Sequence, residues 1–282
     1  MARDIHTVGI AGLGLIGGSF AKAIKAMTDR TVYGFDINES VLYKAREDDA
    51  VDGILCADTI KSCDLILIAL YPKDAVMWLK ENSEAIAEET VVIDCCGVKR
   101  YVDYPMNNLA RTHGFTYVGG HPMAGREFSG YDAADGAVFH NAHMILIDPP
   151  EDLLPLLKDF FTSIGFQDLT ITTAEEHDRR IAYTSQLAHI ISSSYIKSPT
   201  AMEHGGFSAG SFHSMTRVAY LNEDMWTELF LENRDFLTEE IRRMREHLKE
   251  YENALQSRDE NVLRSLLRDG RVRKERAEGW NR

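Results

Sequence analysis

Short apolar runs, spaced by amphipathic stretches, set the rhythm of the first half of the chain. Thr7-Val8-Gly9-Ile10-Ala11, Thr31-Val32-Tyr33-Gly34-Phe35, Thr90-Val91-Val92-Ile93-Asp94 and Phe115-Thr116-Tyr117-Val118 read as strands. Asp64-Leu65-Ile66-Leu67-Ile68-Ala69-Leu70 is too apolar for a strand with one wet face, and predicts a parallel strand buried on both sides. Helical stretches alternate with these strands: one ends near Met27, a second lies near Ser40–Glu47, and a third ends near Ala87. After a further strand over Ala142–Ile147, Asp148-Pro149-Pro150 breaks the chain. A helix over Leu153–Ile164 and a strand near Asp168–Ile171 complete the alternation.

The period then changes. Thr173 with Glu176 predicts a capping box opening a helix that runs to about Lys197 and stops before Pro199. From Asn222 one long helix is expected to about Gln256. On it Leu237, Ile241, Met244, Leu248, Tyr251 and Leu255 alternate at four and three residues and make a seam, leaving intramolecular packing and a dimer interface both open. The segment Arg268–Arg276 reads as a solvated, charge-rich tail. The expected architecture is an α/β doubly wound sheet over residues 1–172 followed by an all-α domain over 173–282.

Chemistry enters at the first strand. It runs straight into Gly12-Leu13-Gly14-Leu15-Ile16-Gly17 and then a helix, the context that GxGxxG requires to bind a dinucleotide. Gly12 suits the tight turn, Gly14 lets backbone approach a pyrophosphate, and Gly17 lets helix and strand pack closely, with helix N-terminal amides toward the phosphates. The second strand ends in Asp36, whose carboxylate can bind both ribose hydroxyls and repel a 2′-phosphate, so NAD rather than NADP is expected in this Rossmann-type domain. Ala69, Leu70 and Lys73 end the buried third strand at the carboxyl edge, where cofactors bind in open α/β sheets.

The same edge receives Val118-Gly119-Gly120-His121-Pro122-Met123-Ala124-Gly125, a strand running into a glycine-rich loop with His121 at its mouth. A histidine there can accept a proton at neutral pH, or can merely cap a turn. Lys99 stands after the strand ending in Asp94, as an edge residue or a surface lysine. Ser185 and His189, four apart, share a helix face that either meets solvent or faces a ligand. Arg217 is either a carboxylate clamp or a surface ion pair.

The 282 residues carry a net charge of −13 with 44% hydrophobic and 27% charged positions, a balance that argues against a nucleic-acid surface. No apolar run approaches a membrane span and the N-terminus lacks a signal-peptide core, so a cytoplasmic location is expected. Cys56, Cys63, Cys95 and Cys96 show no metal or disulfide spacing and read as reduced structural thiols.

With these pieces in order the chain resembles the prephenate/arogenate dehydrogenase family. The resemblance rests on Gly12–Ser19, on Gly119–Gly125, on Ser185-Gln186-Leu187-Ala188-His189, on Phe212–Arg217, and on Met225-Trp226 with Leu231-Glu232-Asn233. It implies oxidative decarboxylation of prephenate with NAD, with arogenate as the nearest rival substrate. It also implies a homodimer through the C-terminal helices and an active site between the Rossmann and helical parts. His121 matches the catalytic histidine, Arg217 the carboxylate-binding arginine, and Ser185 and His189 substrate-side residues. Lys99, Glu127 and Trp226, in or beside these motifs, are expected on the substrate side as well. Two departures stand out: Gly97 where the family turn after the preceding strand usually has serine, and Gln186 and Ala188 where the helical motif usually has histidine and proline. A dinucleotide-binding sensor without chemistry, and a β-hydroxyacid dehydrogenase, are the competing readings.

Overall fold

The computed structural model describes residues 4–126 and 128–279. Eight strands, β1 (Thr7–Ala11), β2 (Thr31–Phe35), β3 (Gly53–Ile54), β4 (Leu65–Ile68), β5 (Val91–Asp94), β6 (Thr116–Pro122), β7 (His143–Ile147) and β8 (Asp168–Thr172), form one sheet in the order β3-β2-β1-β4-β5-β6-β7-β8. The strands from β1 to β6 pair in parallel; β7 runs antiparallel to β6, and β8 parallel to β7. Strand order reverses between β1 and β4, which opens the crevice where such sheets bind ligands. The two-residue β3 escapes the sequence reading because it is too short to show a period.

Alternation places the two cores on opposite faces of the sheet. Leu65 and Leu67 of β4 join Phe20, Phe139, Phe160, Phe161 and Phe166 on one side, while Ile66 and Ile68 join Trp78, Leu79, Val102 and Met106 on the other. This double burial is what the apolar run of β4 reports.

β6 corrects the expectation of a loop at His121. Val118 is the last residue paired with β5, but the strand continues, and Gly119, Gly120, His121 and Pro122 pair with Ile147, Leu146, Ile145 and Met144 of β7. The glycines serve close packing within this strand. A Cβ on Gly120 would meet the carbonyl oxygen of Asp94 at 2.5 Å. His121 therefore projects from sheet backbone and is held more rigidly than a loop residue would be.

The chain divides into two compact units, Met1–Asn233 and Arg234–Arg282. In the first, the helix opened by Thr173 is not uniform: Ala174–Ile181 is α-helical, Ala182–Leu187 is π-helical, and Ala188–Tyr195 is α-helical again. Thr173 accepts a hydrogen bond from the Glu176 amide, but the Glu176 carboxylate turns to Arg179 and Arg180. The long helix expected from Asn222 ends at Glu232. Asn233 leaves helical backbone geometry, and a separate helix, Arg234–Gln256, starts the second unit. There it packs on Glu260–Ala277. The charge-rich segment is thus solvated as expected but helical, braced by pairs such as Arg273 with Asp269. Leu248 and Leu255 of the seam are 62% and 61% exposed.

All four cysteines are free thiols, and no helix among the described residues is long and apolar enough to cross a membrane.

Candidate active site

The turn after β1 has the geometry of a phosphate cradle. Gly12 takes φ +88, and a Cβ there would lie 2.6 Å from the Ala69 carbonyl oxygen and 2.7 Å from Leu70 Cδ2, so Ala69 and Leu70 wall the turn. A Cβ on Gly17 would strike the Gly12 carbonyl oxygen at 1.8 Å, which enforces close contact between the turn and the helix Leu15–Met27. Over Gly14 there is open space, and Gly14 caps that helix without a side-chain hydrogen bond. The first amides of that helix follow Gly14, with Leu15 and Ile16 half-buried, and helix N-terminal amides are the groups that bind a phosphate. Asp36 closes the far side, its Oδ2 accepting the Leu13 amide at 2.9 Å and its Oδ1 the Asn38 amide at 2.9 Å. These residues fit a dinucleotide whose ribose hydroxyls would meet Asp36. Lys73 is exposed at the same edge, and its amide donates to Glu228 at 2.8 Å.

The two glycines separate stability from binding. Gly12→Ala forces a non-glycine residue to positive φ against backbone, and should destabilise the fold by roughly 1–3 kcal/mol in urea unfolding. Gly14→Val should leave the urea midpoint of the free protein nearly unchanged while weakening NAD in a calorimetric titration by at least about tenfold, an estimate from loss of one close backbone approach. Equal effects of the two changes on free-protein stability would contradict this division.

At the ends of β5 and β6 lies a dense polar core. The Asp94 carboxylate has no exposed surface and accepts hydrogen bonds from Tyr117 Oη at 2.7 Å, the Gly120 amide at 3.1 Å and the Cys96 amide at 3.0 Å. The Lys99 ammonium, equally buried, donates to Asp94 and to the Gly120 carbonyl. Lys99 was expected to contact substrate; here its ammonium pins β5 to β6 one residue before His121. Burial in this setting lifts the thiol pKa values of Cys95 and Cys96 well above the ordinary range, so both stay protonated.

His121 makes a side-chain contact that the sequence did not disclose. Its Nδ1 lies 2.9 Å from Nε2 of His177, and His177 Nδ1 lies 2.7 Å from Oδ1 of Asp178. Both partners come from the helix Ala174–Ile181 and are buried. Asp178 also accepts the amides of Lys99 at 2.7 Å and Arg100 at 2.9 Å. These bonds, together with His177, hold its carboxyl below the usual carboxylate range despite burial. Burial first, then His177 and Lys99, lowers the His121 pKa well below its ordinary value. The imidazole is therefore neutral at pH 7 and able to act as a base. A Cβ on Gly97 would stand 3.9 Å from His121 Nε2, so the usual serine position faces the nitrogen opposite the one that His177 holds.

A second group forms on the π-helical segment, the helix Ala188–Tyr195 that continues it, and the helix Glu223–Glu232. His189 Nδ1 bonds the Ser185 carbonyl oxygen at 2.9 Å, and its ring lies 4.0 Å from that of Trp226. Burial and the charge of Arg217 lower the His189 pKa, which places Arg217 in the same electrostatic neighbourhood. The π-turns reset the register of this helix, a feature frequent at functional sites. Leu229, three residues after Trp226, connects the two groups because its side chain is the nearest neighbour of Gly97. Gln186 is buried and donates to the Leu229 carbonyl at 3.1 Å. Asn233 donates to Gln186 Oε1 and to the Asp178 carbonyl, both at 2.8 Å. Gln186, one of the two departures in its motif, thus ties the helix of His189 to the helix of Trp226. Glu127 lies outside the described residues.

The sequence reading missed His177, Asp178 and the bridging role of Asn233. A signal was present in the first of these: His177 and Asp178 stand four and three residues before Ile181, on what reads as the apolar face, where polar pairs need partners.

Known proteins carry the same plan. Residues 20–166 match the nucleotide-binding domain of prephenate dehydrogenase, and residues 173–269 match its dimerization domain. The cyclohexadienyl dehydrogenase of Zymomonas mobilis is 30% identical over 271 residues, covering 91% of this chain and 90% of that protein. The prephenate dehydrogenase of Lactococcus lactis is 29% identical over 272 residues, covering 93% of this chain and 75% of that protein. The structure of prephenate dehydrogenase from A. aeolicus in complex with hydroxyphenyl propionate and NAD+ matches with a TM-score of 0.79 at 25% identity, covering 98% of this chain and 99% of that one. Its glycine turn, its edge histidine and these matches together show that the chain belongs to the prephenate dehydrogenase family.

Proposed function

We propose that this protein catalyses the NAD-dependent oxidative decarboxylation of prephenate to 4-hydroxyphenylpyruvate and CO2. The observation that carries the proposal is the 2.9 Å contact that holds His121 at Nδ1, on the sheet edge that also bears the Gly12–Gly17 turn, in a setting that lowers its pKa. NAD, when bound, supplies the acceptor for the hydride lost from C4 of the substrate. His121 Nε2 takes the proton of the C4 hydroxyl, so the O–H electron pair can enter the new carbonyl. That carbonyl is vinylogous to the ring carboxylate, and loss of CO2 restores aromaticity.

Arg217, Ser185, His189 and Trp226 form the substrate side in this reading, with the Arg217 guanidinium on a carboxylate. Arg217→Ala should raise KM for prephenate by at least about tenfold, the loss expected for one charge-assisted contact at a partly open site, with a smaller change in kcat. An unchanged KM would remove Arg217 from the substrate.

The helical part, from residue 173 onward, is read as the substrate-binding and dimerisation domain of a cytoplasmic homodimer. The exposed seam around Leu248 and Leu255 supports association with a second copy.

The direct test follows NADH absorbance with purified protein and NAD, offering prephenate or arogenate. Turnover of prephenate in preference to arogenate supports the proposal, and the reverse preference would reassign the substrate. Intact NAD binding without turnover of either would favour a sensor.

A further inference from the structure

Carboxylate geometry fixes the direction of every hydrogen bond behind His121. Asp178 is ionised and can only accept, so the 2.7 Å contact requires His177 Nδ1 to donate to it. Burial also keeps His177 neutral at pH 7, which leaves its Nε2 as an acceptor. Nδ1 of His121, 2.9 Å away, must then be the donor. The charged and titratable groups around His177 agree with this. Asp178 is on its own helix, the Lys99 amide holds the same Asp178 oxygen, and the Asp94 and Lys99 charges oppose one another behind β6.

We propose that His177 and Asp178 are positioning residues that lock His121 into the Nδ1–H tautomer, leaving Nε2 as the lone-pair nitrogen that receives the substrate proton. The kinetic part of this inference rests on the oxidation proposed above; the tautomer itself does not. The arrangement also accounts for Gly97. A serine hydroxyl there would face Nε2, whereas His177 orients the ring from the opposite nitrogen and needs no hydroxyl. As His121 takes the proton, the O–H bond breaks and an Nε2–H bond forms. The positive charge that develops on the ring is stabilised through Nδ1–H to His177 and on to the Asp178 carboxylate, which stays unprotonated.

The test begins with the wild-type protein. Nitrogen-15 NMR of the histidine rings at neutral pH should show His121 with a protonated Nδ1 and an unprotonated Nε2; the opposite tautomer would overturn the proposal without any substrate present. His177→Leu should then give a mixture of His121 tautomers and lower kcat on the order of 10²-fold, since tautomer control is part of the general-base contribution. The Kd for NAD should stay within about twofold, because the cradle is built from other residues. His177→Gln, which retains an acceptor for Nδ1–H, should recover at least about tenfold of that loss. A folded His177→Leu protein with wild-type kcat and an unaltered His121 spectrum would contradict the proposal. Wild-type protein that turns over neither prephenate nor arogenate, yet shows the Nδ1–H tautomer, would sink the functional reading and leave the tautomer assignment standing.

Discussion

Replacing His121 with asparagine lowers kcat for prephenate by about 10² to 10⁴-fold at neutral pH, the usual worth of a positioned general base. Asparagine approximates the polar bulk of the ring and can still face His177, but it has no nitrogen that accepts a proton near pH 7. Binding of NAD stays intact, since Gly12 and Gly14 lie in the turn after β1, Gly17 in the first turn of the helix that follows, and Asp36 just beyond β2, none of them on β6. A pH series adds a second reading. The base is active only when unprotonated, and burial with His177 and Lys99 holds its pKa well below the ordinary 6.5. Wild-type kcat/KM should accordingly stay level as pH drops to 6.5, and fall only as pH passes through the lowered pKa. A His121→Asn enzyme that keeps near-full kcat, or an acid limb above pH 6.5, would show that another group takes the proton.

Lys99→Met is expected to cost about 3–5 kcal/mol of stability, the penalty for stranding one member of a buried ion pair. The partner left behind is Asp94, which has no access to solvent and keeps neutral donors such as Tyr117, the Gly120 amide and the Cys96 amide. The Gly120 carbonyl loses its ammonium donor in the same change, next to His121. Urea unfolding followed by circular dichroism measures the loss. The double variant Lys99→Met with Asp94→Asn should recover a substantial part of it, because no uncompensated charge remains. A single variant within 1 kcal/mol of wild type, a cut-off taken from ordinary surface pairs, would mean that the pair is hydrated.

What the chain disclosed before folding follows from the range of each interaction. The Gly12–Gly17 turn and Asp36 were legible because strand, turn and helix are contiguous, and each glycine meets a local backbone need. His121 was legible as a residue but not in its setting, since glycine pairs suggest a loop unless the antiparallel partner β7 is known. Lys99 was misplaced for a related reason. A lysine at the sheet edge reads as exposed, yet Asp94 five residues earlier returns within reach once the intervening turn closes.

The interruption at Asn233 was hidden inside a helical pattern that continues on both sides. Asparagine tolerates helix poorly but does not forbid it. The break reflects the engagement of its side-chain amide with Asp178 and Gln186, contacts far apart in sequence. A comparable span, 56 positions, separates His121 from His177.

In the proposed mechanism one histidine on this sheet edge couples removal of a proton to oxidation and loss of CO2. Simultaneous measurement of NADH formed and CO2 released from prephenate by the purified protein tests it most directly. Equimolar NADH and CO2 are expected, with both rates falling together in His121→Asn. NADH without CO2, or CO2 release that does not depend on NAD, would contradict it.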